Sequence, residues 1–354
     1  MTSDQRIIKG QLKKIIFRES GIVANENLLN SDELSNIYGH EYELNISGDE
    51  EHIFYTKDGP VSRSLVFFNW IKPFLHNNFQ TLIEIGCGAG NVLEKIVKSF
   101  PEKNILGFDG SYKAVELGRK KQLNISQKIF QKNETLPIAD IYLLIGVLEH
   151  VEDVEVFILN IREALSEKGR IIICIPIQDY GGYDIYFSDH IWHFTVRQFE
   201  NLLNKLNLEI LYKDFNHPIN YGFGLFVCEK ARNKNITIIN ESDILLKNLH
   251  FWQERFLKIN NWFNDHHFDK IAVFGASEIF TLFMTYSSLA EQNIIACLDD
   301  TKKPGYRKHG ITIYNSEWLI NNYVDLLLLA VNKKYHEMIK EKYKDLNLNI
   351  QPIY

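Results

Sequence analysis

The sequence has little of what would place it in several common protein classes. Its 354 residues include four cysteines, which are far apart and form no Cys-x-x-Cys pair. This spacing argues against a structural zinc site and a disulfide framework, and it fits a reducing, cytoplasmic location. No apolar run approaches the roughly 20 residues of a membrane span, and lysines interrupt the apolar residues of 7–17, where a signal peptide would have its core. We therefore expect no membrane association.

Blocks of like charge are also missing. The 39 basic residues are interleaved with 45 acidic ones, and the formal net charge is -6. Because nucleic-acid-binding proteins carry a basic face, we expect no nucleic-acid partner. The composition, with 45% hydrophobic and 24% charged residues, is typical of globular proteins, and the length favours two domains.

Strand-like and helix-like segments alternate along most of the chain. From residue 81 to residue 230, short apolar runs are separated by amphipathic stretches, and this pattern predicts a doubly wound parallel sheet covered on both faces. The alternation restarts near residue 270, after a long helix predicted over residues 244–264. The predicted organisation is a mostly helical N-terminal segment over 1–60, an α/β domain over 61–230, a helical linker over 231–267 and a second, smaller α/β domain over 268–354.

The strongest motif lies where the first strand of the α/β domain ends. Residues 84–90 read Glu-Ile-Gly-Cys-Gly-Ala-Gly and lead into a predicted helix. Glycine lets a ligand approach the backbone, and a helix N-terminus offers free N–H groups. Asp109 ends the next strand about 20 residues later, where a carboxylate can accept hydrogen bonds from ribose hydroxyls. The spacing predicts a Rossmann-like fold that binds a nucleoside-containing cofactor at the carboxyl ends of its strands.

Two other interpretations of this motif stay open. A nicotinamide dinucleotide site needs a third small residue where this chain has Asn91, and it has no use for Glu84, so this site is disfavoured. The glycines could also form no more than a tight strand-to-helix turn.

These residues resemble those of the class I S-adenosylmethionine (SAM)-dependent methyltransferases. The resemblance covers residues 84–90, Asp109, the Asn-Glu-Thr-Leu-Pro segment at 133–137 and Gly-Val-Leu-Glu-His-Val at 146–151. It implies SAM as cofactor and S-adenosylhomocysteine as product. It also implies that the amino-acid part of SAM contacts Glu84, Gly86, Cys87, Gly88 and Gly90, the ribose Asp109, the adenine Asn133 and the sulfonium side Gly146.

The acceptor side needs a nucleophile held in line with the methyl group and a base that takes its proton. Histidine is the usual base near neutral pH. The candidates follow the fourth strand or lie in the loop before residue 196, and they are His150, Tyr186, Asp189, His190 and His193. His190 is the strongest candidate base, whereas His150 could cap nearby backbone and His193 could pack beside aromatic rings. We expect no metal ion on Asp189, His190 and His193, because SAM chemistry needs none.

The layout of the chain resembles the sugar C-methyltransferases of deoxysugar pathways. The resemblance rests on His150, on the pair Asp189-His190 in the loop 187–195, and on residues 273–277, 298–305 and 310–313. The family's proton-abstracting tyrosine falls on Phe187, which has no acidic proton, and the family's N-terminal zinc cysteines are absent. Tyr186 or Tyr183 could substitute for that tyrosine, but methylation of a sugar hydroxyl by His190 competes with methylation of carbon.

The second α/β domain resembles a Rossmann-like domain with one glycine at its first turn. We assign no acidic residue there to a ribose, so a second nucleotide site stays open with little support, and a domain that packs on the catalytic half is favoured. The function expected for the whole chain is methyl transfer to a small molecule, a nucleotide-linked sugar, in glycan or natural-product biosynthesis. The alternatives are a SAM-binding module with altered catalysis and a methyltransferase of a non-sugar small molecule.

Overall fold

The computed structural model describes residues 1–7, 10–17, 20–26, 33, 36–41, 51–56, 59–76, 78–130, 134–220, 222–231, 242–346 and 348–354. These residues form two compact units, one between residues 11 and 248 and the other from residues 1–10 and 249–354. Within these ranges, no helix combines the length and apolar character needed to cross a membrane.

The first unit begins with short strands. They are β1 (Lys14–Ile16), β2 (Val23–Asn25), β3 (Ile53–Thr56) and β4 (Gly59–Ser62), with a π-helical turn at Ile37–Glu41. β2 pairs antiparallel with β1 on one side and with residues 192–193 on the other. The expectation of a mostly helical N-terminal segment did not include these strands. Strands of three residues are too short to show a period, and the partner at residue 192 is distant in sequence.

The rest of the first unit alternates helices and strands as the sequence predicts. In chain order the elements are α1 (Arg63–Ile71), β5 (Thr81–Ile85), α2 (Asn91–Ser99), β6 (Asn104–Asp109), α3 (Tyr112–Lys120), β7 (Ile125–Gln127), β8 (Ala139–Ile145), α4 (Val154–Ala164), β9 (Leu165–Pro176), β10 (Trp192–His193), α5 (Val196–Lys205), β11 (Leu208–Asp214) and β12 (Phe223–Lys230). The strand predicted over 128–130 lies slightly earlier, as β7.

Seven of these strands form one sheet in the order β7-β6-β5-β8-β9-β12-β11. The first five run parallel, and β12 is antiparallel to both of its neighbours. Parallel strands need crossovers, and α2 and α3 supply them on one side of β5 while α4 supplies one beyond β8. The carboxyl ends of β5, β6 and β8 therefore meet at one edge of the sheet, and this mixed α/β arrangement confirms the predicted Rossmann-like fold.

Both faces of this sheet are buried, which explains its near-continuous apolar strands. Successive side chains of a strand point to opposite faces. Thus Ile83 and Leu144 belong to one core layer, whereas Leu82 and Leu143 belong to the other. All four side chains are 0% exposed, so the strand ends that carry the polar site residues are held on a rigid base.

The second unit is a smaller α/β unit. Its elements are α6 (Ser242–Asp265), which starts before the unit boundary at residue 248, β13 (Ile271–Phe274), α7 (Glu278–Tyr286), β14 (Ile294–Leu298), β15 (Arg307–Lys308), β16 (Ile311–Tyr314), β17 (Leu326–Leu329), α8 (His336–Lys342) and β18 (Ile350–Pro352). Its sheet has the order β15-β16-β14-β13-β17-β18. The helix predicted over 316–322 is a 3-10 helix at Ser316–Ile320.

The chain's first residues belong to this second unit. The amino group of Met1 donates a hydrogen bond to the Tyr286 hydroxyl at 3.0 Å, and the Lys308 ammonium group donates one to the Gln5 side chain. Met1 and Lys308 are almost fully buried. No pattern in residues 1–10 predicts this packing, because a segment without a motif can be placed only by its contacts.

Replacement of Gly90 by alanine tests the packing at the start of α2. Gly90 has a φ of 71°, and an added Cβ would lie 2.5 Å from Leu123 Cδ1. Gly181 has a similar φ of 75° with nothing within 4 Å of an added Cβ, so it is a matched control. We expect Gly181→Ala to lower the free energy of unfolding by about 1–2 kcal/mol and Gly90→Ala by about 2–4 kcal/mol, measured by chemical denaturation. Equal losses would contradict the steric argument.

Candidate active site

A glycine-rich turn joins β5 to α2. Gly86, Gly88 and Gly90 have φ values of 70°, 55° and 71°, in the left-handed region that side chains disfavour. At Gly86 the space is also limited, because an added Cβ would lie 2.6 Å from Val147 Cγ2. The turn therefore needs glycine both for its conformation and for its close packing against the residues after β8.

Asp109, at the end of β6, holds this turn in place. Its Oδ2 accepts a hydrogen bond from Gly88 N at 2.7 Å, and its Oδ1 accepts one from Ser111 N at 2.8 Å. Burial raises the pKa of Asp109, and the two backbone hydrogen bonds oppose this rise. Each carboxylate oxygen keeps a further acceptor position, so the group can bind two hydroxyls while it fixes the turn.

Glu84 is a buried acid on β5. Its side chain is 3% exposed, and its Oε2 has no hydrogen-bond partner within the described ranges. Burial, with a smaller contribution from Asp109, raises the pKa of Glu84 to about 8. Because a buried polar atom without a partner is costly, its retention is best explained by a ligand group that donates to it. A positively charged donor group of a ligand would satisfy this carboxylate.

The other predicted cofactor residues differ in what they present. Gly146 follows β8 with a φ of 65°, and an added Cβ there would lie 3.4 Å from Glu149 Oε1. The Cys87 thiol faces the protein, since it lies 2.8 Å from where a Cβ of Gly107 would be, and burial raises its pKa. Asn133 lies outside the described residues.

His150 lies after β8 with one ring nitrogen fixed. Its Nδ1 is 2.8 Å from the backbone oxygen of Asp189 and 2.7 Å from the Tyr38 hydroxyl. Because a carbonyl oxygen can only accept, Nδ1 carries the hydrogen and Nε2 carries the lone pair of the neutral ring. Burial and the neighbouring His190 lower the pKa of His150, which favours this neutral form.

His190 faces His150 from the loop before β10. The ring centroids are 4.6 Å apart with an interplanar angle of 86°. Its Nδ1 lies 3.4 Å from Asp184 Oδ2, so the carboxylate holds this side of the His190 ring. Burial lowers the pKa of His190, but the hydrogen bond to Asp184 and the charge of Glu149 outweigh it, so the pKa is raised.

His193 lies behind this pair and is fully buried. Its Nδ1 is 3.3 Å from Asp184 Oδ2, and its Nε2 is 2.6 Å from the ammonium nitrogen of Lys14 on β1. Burial and Lys14 lower the pKa of His193 to about 3. Burial lowers the pKa of Lys14 to about 7, against the raising effect of Asp184 and Asp189. A neutral His193 thus donates to Asp184 and accepts from Lys14.

Asp184 accepts hydrogen bonds from several buried side chains. Besides the two imidazoles, Gln178 Nε2 donates to its Oδ1, and Asn248 in turn donates to Gln178. Burial raises the pKa of the Asp184 carboxyl, but the hydrogen bonds from His190 and His193 outweigh it and hold the pKa well below its usual range. Asp184 is therefore a carboxylate that orients both rings.

Sequence reasoning proposed some members of this network and missed others. His150, His190, His193 and Asp189 meet in one buried region, and Tyr186 is buried at the end of the 3-10 helix that supplies Asp184. Missed were Lys14, Tyr38 and Asp184. Asp184 lies in the same polar and aromatic loop as the predicted residues, so the loop was a usable signal. Lys14 and Tyr38 precede the first motif, and nothing in their sequence context distinguishes them.

The second unit contains a turn of similar construction. Oδ2 of Asp299, directly after β14, accepts a hydrogen bond from Ala276 N at 2.9 Å, and its Oδ1 accepts one from Thr301 N at 2.8 Å. Asp109 makes the same two kinds of bond in the first unit. An acid therefore does bind the backbone of the second turn, and the sequence analysis did not identify it. An added Cβ at Gly275 would lie 2.8 Å from Ala330 O, so this single glycine is explained by packing.

Comparison with known proteins agrees with the site in the first unit. Residues 62–213 match a family described as "Methyltransferase domain". The chain is 37% identical over 54 residues to the tRNA (guanine-N(7)-)-methyltransferase of Porphyromonas gingivalis (strain ATCC BAA-308 / W83), which is 15% of this chain and 22% of that protein. It is 23% identical over 137 residues to the probable (S)-tetrahydroprotoberberine N-methyltransferase 2 of Papaver bracteatum, which is 36% of this chain and 33% of that protein. The chain thus spans a third or less of these relatives.

Solved structures give similar matches. The mitomycin 7-O-methyltransferase MmcR aligns with 47% of this chain and 54% of its own, at 17% identity and a TM-score of 0.40. The plantazolicin methyltransferase BpumL in complex with S-adenosylhomocysteine aligns with 48% of this chain and 82% of its own, at 17% identity and a TM-score of 0.39. The family match thus covers residues 62–213, within the first unit, and agrees with the resemblance of residues 84–90 and Asp109 to the class I SAM-dependent methyltransferases.

The raised pKa of Glu84 predicts how SAM binding depends on pH. The amino group of SAM is a cation and prefers the ionised carboxylate, so binding below about pH 8 must release the proton of Glu84. We expect the affinity to rise with pH by up to about tenfold per unit below this pKa and then to level off. Calorimetry in buffers of different ionisation enthalpy measures both the affinity and the released proton.

Glu84→Gln is the control for this dependence. Its amide is uncharged at all these pH values, so we expect weaker binding of SAM with no proton release from this position. A wild-type affinity that is constant between pH 5 and about pH 8 would contradict the assignment of Glu84 to the cationic end of SAM.

Proposed function

We propose that this SAM-dependent methyltransferase domain transfers its methyl group to a hydroxyl oxygen of a small polar acceptor, a nucleotide-linked sugar. The observation that carries the proposal is the pair of imidazoles of His150 and His190, with ring centroids 4.6 Å apart. Glu149, the residue before His150, has its Oε1 3.4 Å from where a Cβ on Gly146 would lie, after β8. The proposed acceptor-activating groups therefore lie at the same strand ends as the proposed cofactor residues. This placement is what methyl transfer requires.

The chemistry asks little of the protein beyond position and proton removal. SAM supplies a methyl group on a positively charged sulfur. When the acceptor oxygen bonds to the methyl carbon, the sulfur–carbon bond breaks, its electron pair stays on sulfur, and the hydroxyl proton passes to a base. The protein must hold the oxygen in line with that bond and supply the base.

His190 is the base we propose. Its Nδ1 is held by Asp184 at 3.4 Å, which leaves Nε2 to receive the proton. Its raised pKa makes the ring a stronger base but leaves less of it neutral at low pH. Transfer is therefore expected to slow as the pH falls below the pKa of His190. His193 donates a hydrogen bond to Asp184, and Lys14 in turn donates one to His193.

Two aromatic residues bear on whether oxygen or carbon is methylated. Phe187 packs edge-on against His190, with ring centroids 4.9 Å apart, and it offers no proton-accepting group where the resembled sugar C-methyltransferases have tyrosine. The absence of a proton acceptor at Phe187 favours methylation of oxygen over methylation of carbon. Carbon is the second candidate, because the phenol of Tyr38 lies 2.7 Å from His150 Nδ1 and could take the place of the missing tyrosine.

The proposal that the acceptor is a nucleotide-linked sugar rests on the resemblance of the loop 187–195 and of the second α/β unit to the sugar C-methyltransferases. The loop keeps Asp189 and His190, and both are buried here beside His150. These features support a polar, hydroxyl-bearing acceptor. A non-sugar acceptor and a SAM-binding module without turnover are the alternatives that the first experiment separates.

The first test incubates the protein with methyl-labelled SAM and a panel of nucleotide-linked keto- and hydroxy-sugars. We expect label on oxygen, located by mass spectrometry and NMR. Label on carbon would instead support the Tyr38 route. If S-adenosylhomocysteine forms only when non-sugar acceptors are added in place of the sugars, the proposal of a sugar acceptor is overturned. Absence of turnover with every acceptor would favour a SAM-binding module without catalysis.

Two variants separate the cofactor side from the acceptor side. Asp109→Ala removes the acceptor of two backbone hydrogen bonds and of the ribose, so we expect SAM to bind at least about tenfold more weakly. His190→Ala should leave SAM affinity unchanged and lower the transfer rate by about 10²–10⁴-fold. The exposed His267 provides the control His267→Ala, which should change neither. A His190→Ala protein with full transfer activity would remove His190 as the base.

A further inference from the structure

Three potential metal-ligating side chains converge beside the methyl-transfer site. One ligand atom from each of Glu149, His150 and His190 lies within 4.8 Å of the others. His150 Nε2 is 4.0 Å from Glu149 Oε1. Ligands bound to a common ion at about 2.1 Å lie about 3–3.5 Å apart, so small side-chain rotations would bring the three atoms to bonding distance.

Both histidines have the support that ligating histidines have. A metal-bound histidine usually donates its other ring N–H to a carboxylate or a backbone carbonyl. His150 Nδ1 is 2.8 Å from the backbone oxygen of Asp189, and His190 Nδ1 is 3.4 Å from the carboxylate of Asp184. Each ring therefore presents Nε2 as its free ligand atom.

Glu149 gives an independent reason to place a cation here. It is 2% exposed, and its Oε2 has no hydrogen-bond partner among the residues that the structure describes. His150 Nε2, which carries a lone pair in this tautomer, lies 4.0 Å from Glu149 Oε1, so two acceptor atoms face each other. Buried acceptors in this arrangement need a cation or a donor to offset the loss of water.

We infer that Glu149, His150 and His190 bind a divalent first-row transition-metal ion, with coordination positions left open for the acceptor. Two imidazoles and one carboxylate suit such ions better than magnesium or calcium, which prefer oxygen ligands. This set differs from the Asp189, His190 and His193 combination considered from the sequence. His193 is excluded because its two nitrogens contact Asp184 and Lys14.

The role of the ion deepens the proposed function and rests on it. A hydroxyl oxygen bound to the ion loses its proton more readily, because the positive charge stabilises the alkoxide. Binding of the ion would replace the proposed role of His190 as base, because Nε2 would then be a ligand and the hydroxyl proton would pass to solvent water. The alkoxide oxygen then bonds to the methyl carbon as the sulfur–carbon bond breaks, and the ion is unchanged at the end.

Cobalt(II) provides a test that does not depend on an acceptor. The untagged chain is treated with chelator, dialysed and titrated with Co²⁺, while visible absorption and calorimetry follow binding. We expect one equivalent to bind with a d–d absorption typical of nitrogen and oxygen ligands. Glu149→Gln and His190→Ala should each weaken binding at least tenfold, and Asp184→Asn, which removes no ligand but disturbs the carboxylate that supports His190, by about 10–100-fold. His267→Ala, outside the cluster, should bind as the wild type does.

The SAM affinity of each variant shows that it is folded and separates this inference from the proposed function. Absence of stoichiometric Co²⁺ binding by a wild-type protein that binds SAM would overturn the metal site. Binding that persists in both Glu149→Gln and His190→Ala would place the ion elsewhere and would also overturn it. Full methyl transfer in the presence of chelator would refute the role of the ion and leave the proposed methyl transfer standing.

Discussion

The acceptor side of this protein depends on the buried carboxylate of Asp184. A carboxylate removed from water is costly unless donors surround it, and here His190, His193 and Gln178 all donate to it. The same bonds that offset this cost fix the tautomer and orientation of both imidazoles. Without them, nothing among these contacts would hold the ring of His190 beside that of His150.

This carboxylate also connects the site to residues well outside the matched domain. Lys14 on β1 contacts His193, and β2 pairs with β10, which contains His193. Tyr38 touches His150, and its Cβ would lie 3.1 Å from an added Cβ on Gly110, the residue after Asp109. The N-terminal strands and turn therefore contact the candidate acceptor residues, although the matched family covers only residues 62–213.

The predictable part of the molecule is the part encoded by local pattern. An apolar run predicts β5, and the glycines after it predict a turn with left-handed backbone. The chain separation from this turn then predicts the position of Asp109. Strand β2 was not foreseen, because its three residues show no period and its partner lies near residue 192. Asp299 was also missed, since its bond to Ala276 joins two turns that carry no glycine-rich motif.

The free protein keeps several buried groups whose charged forms are disfavoured. Lys14 and His193 have lowered pKa values, of about 7 and about 3. In the unfolded chain both would hold their protons to higher pH, so stability rises with pH between the folded and unfolded pKa values of each group. Glu84, with its pKa raised to about 8, acts in the opposite sense, and stability falls as pH rises from its unfolded pKa to about 8. Apolar residues of similar size would avoid these costs. Their retention on β1, β5 and β10, beside the candidate cofactor and acceptor residues, is the pattern expected when charge is placed for ligands rather than for folding.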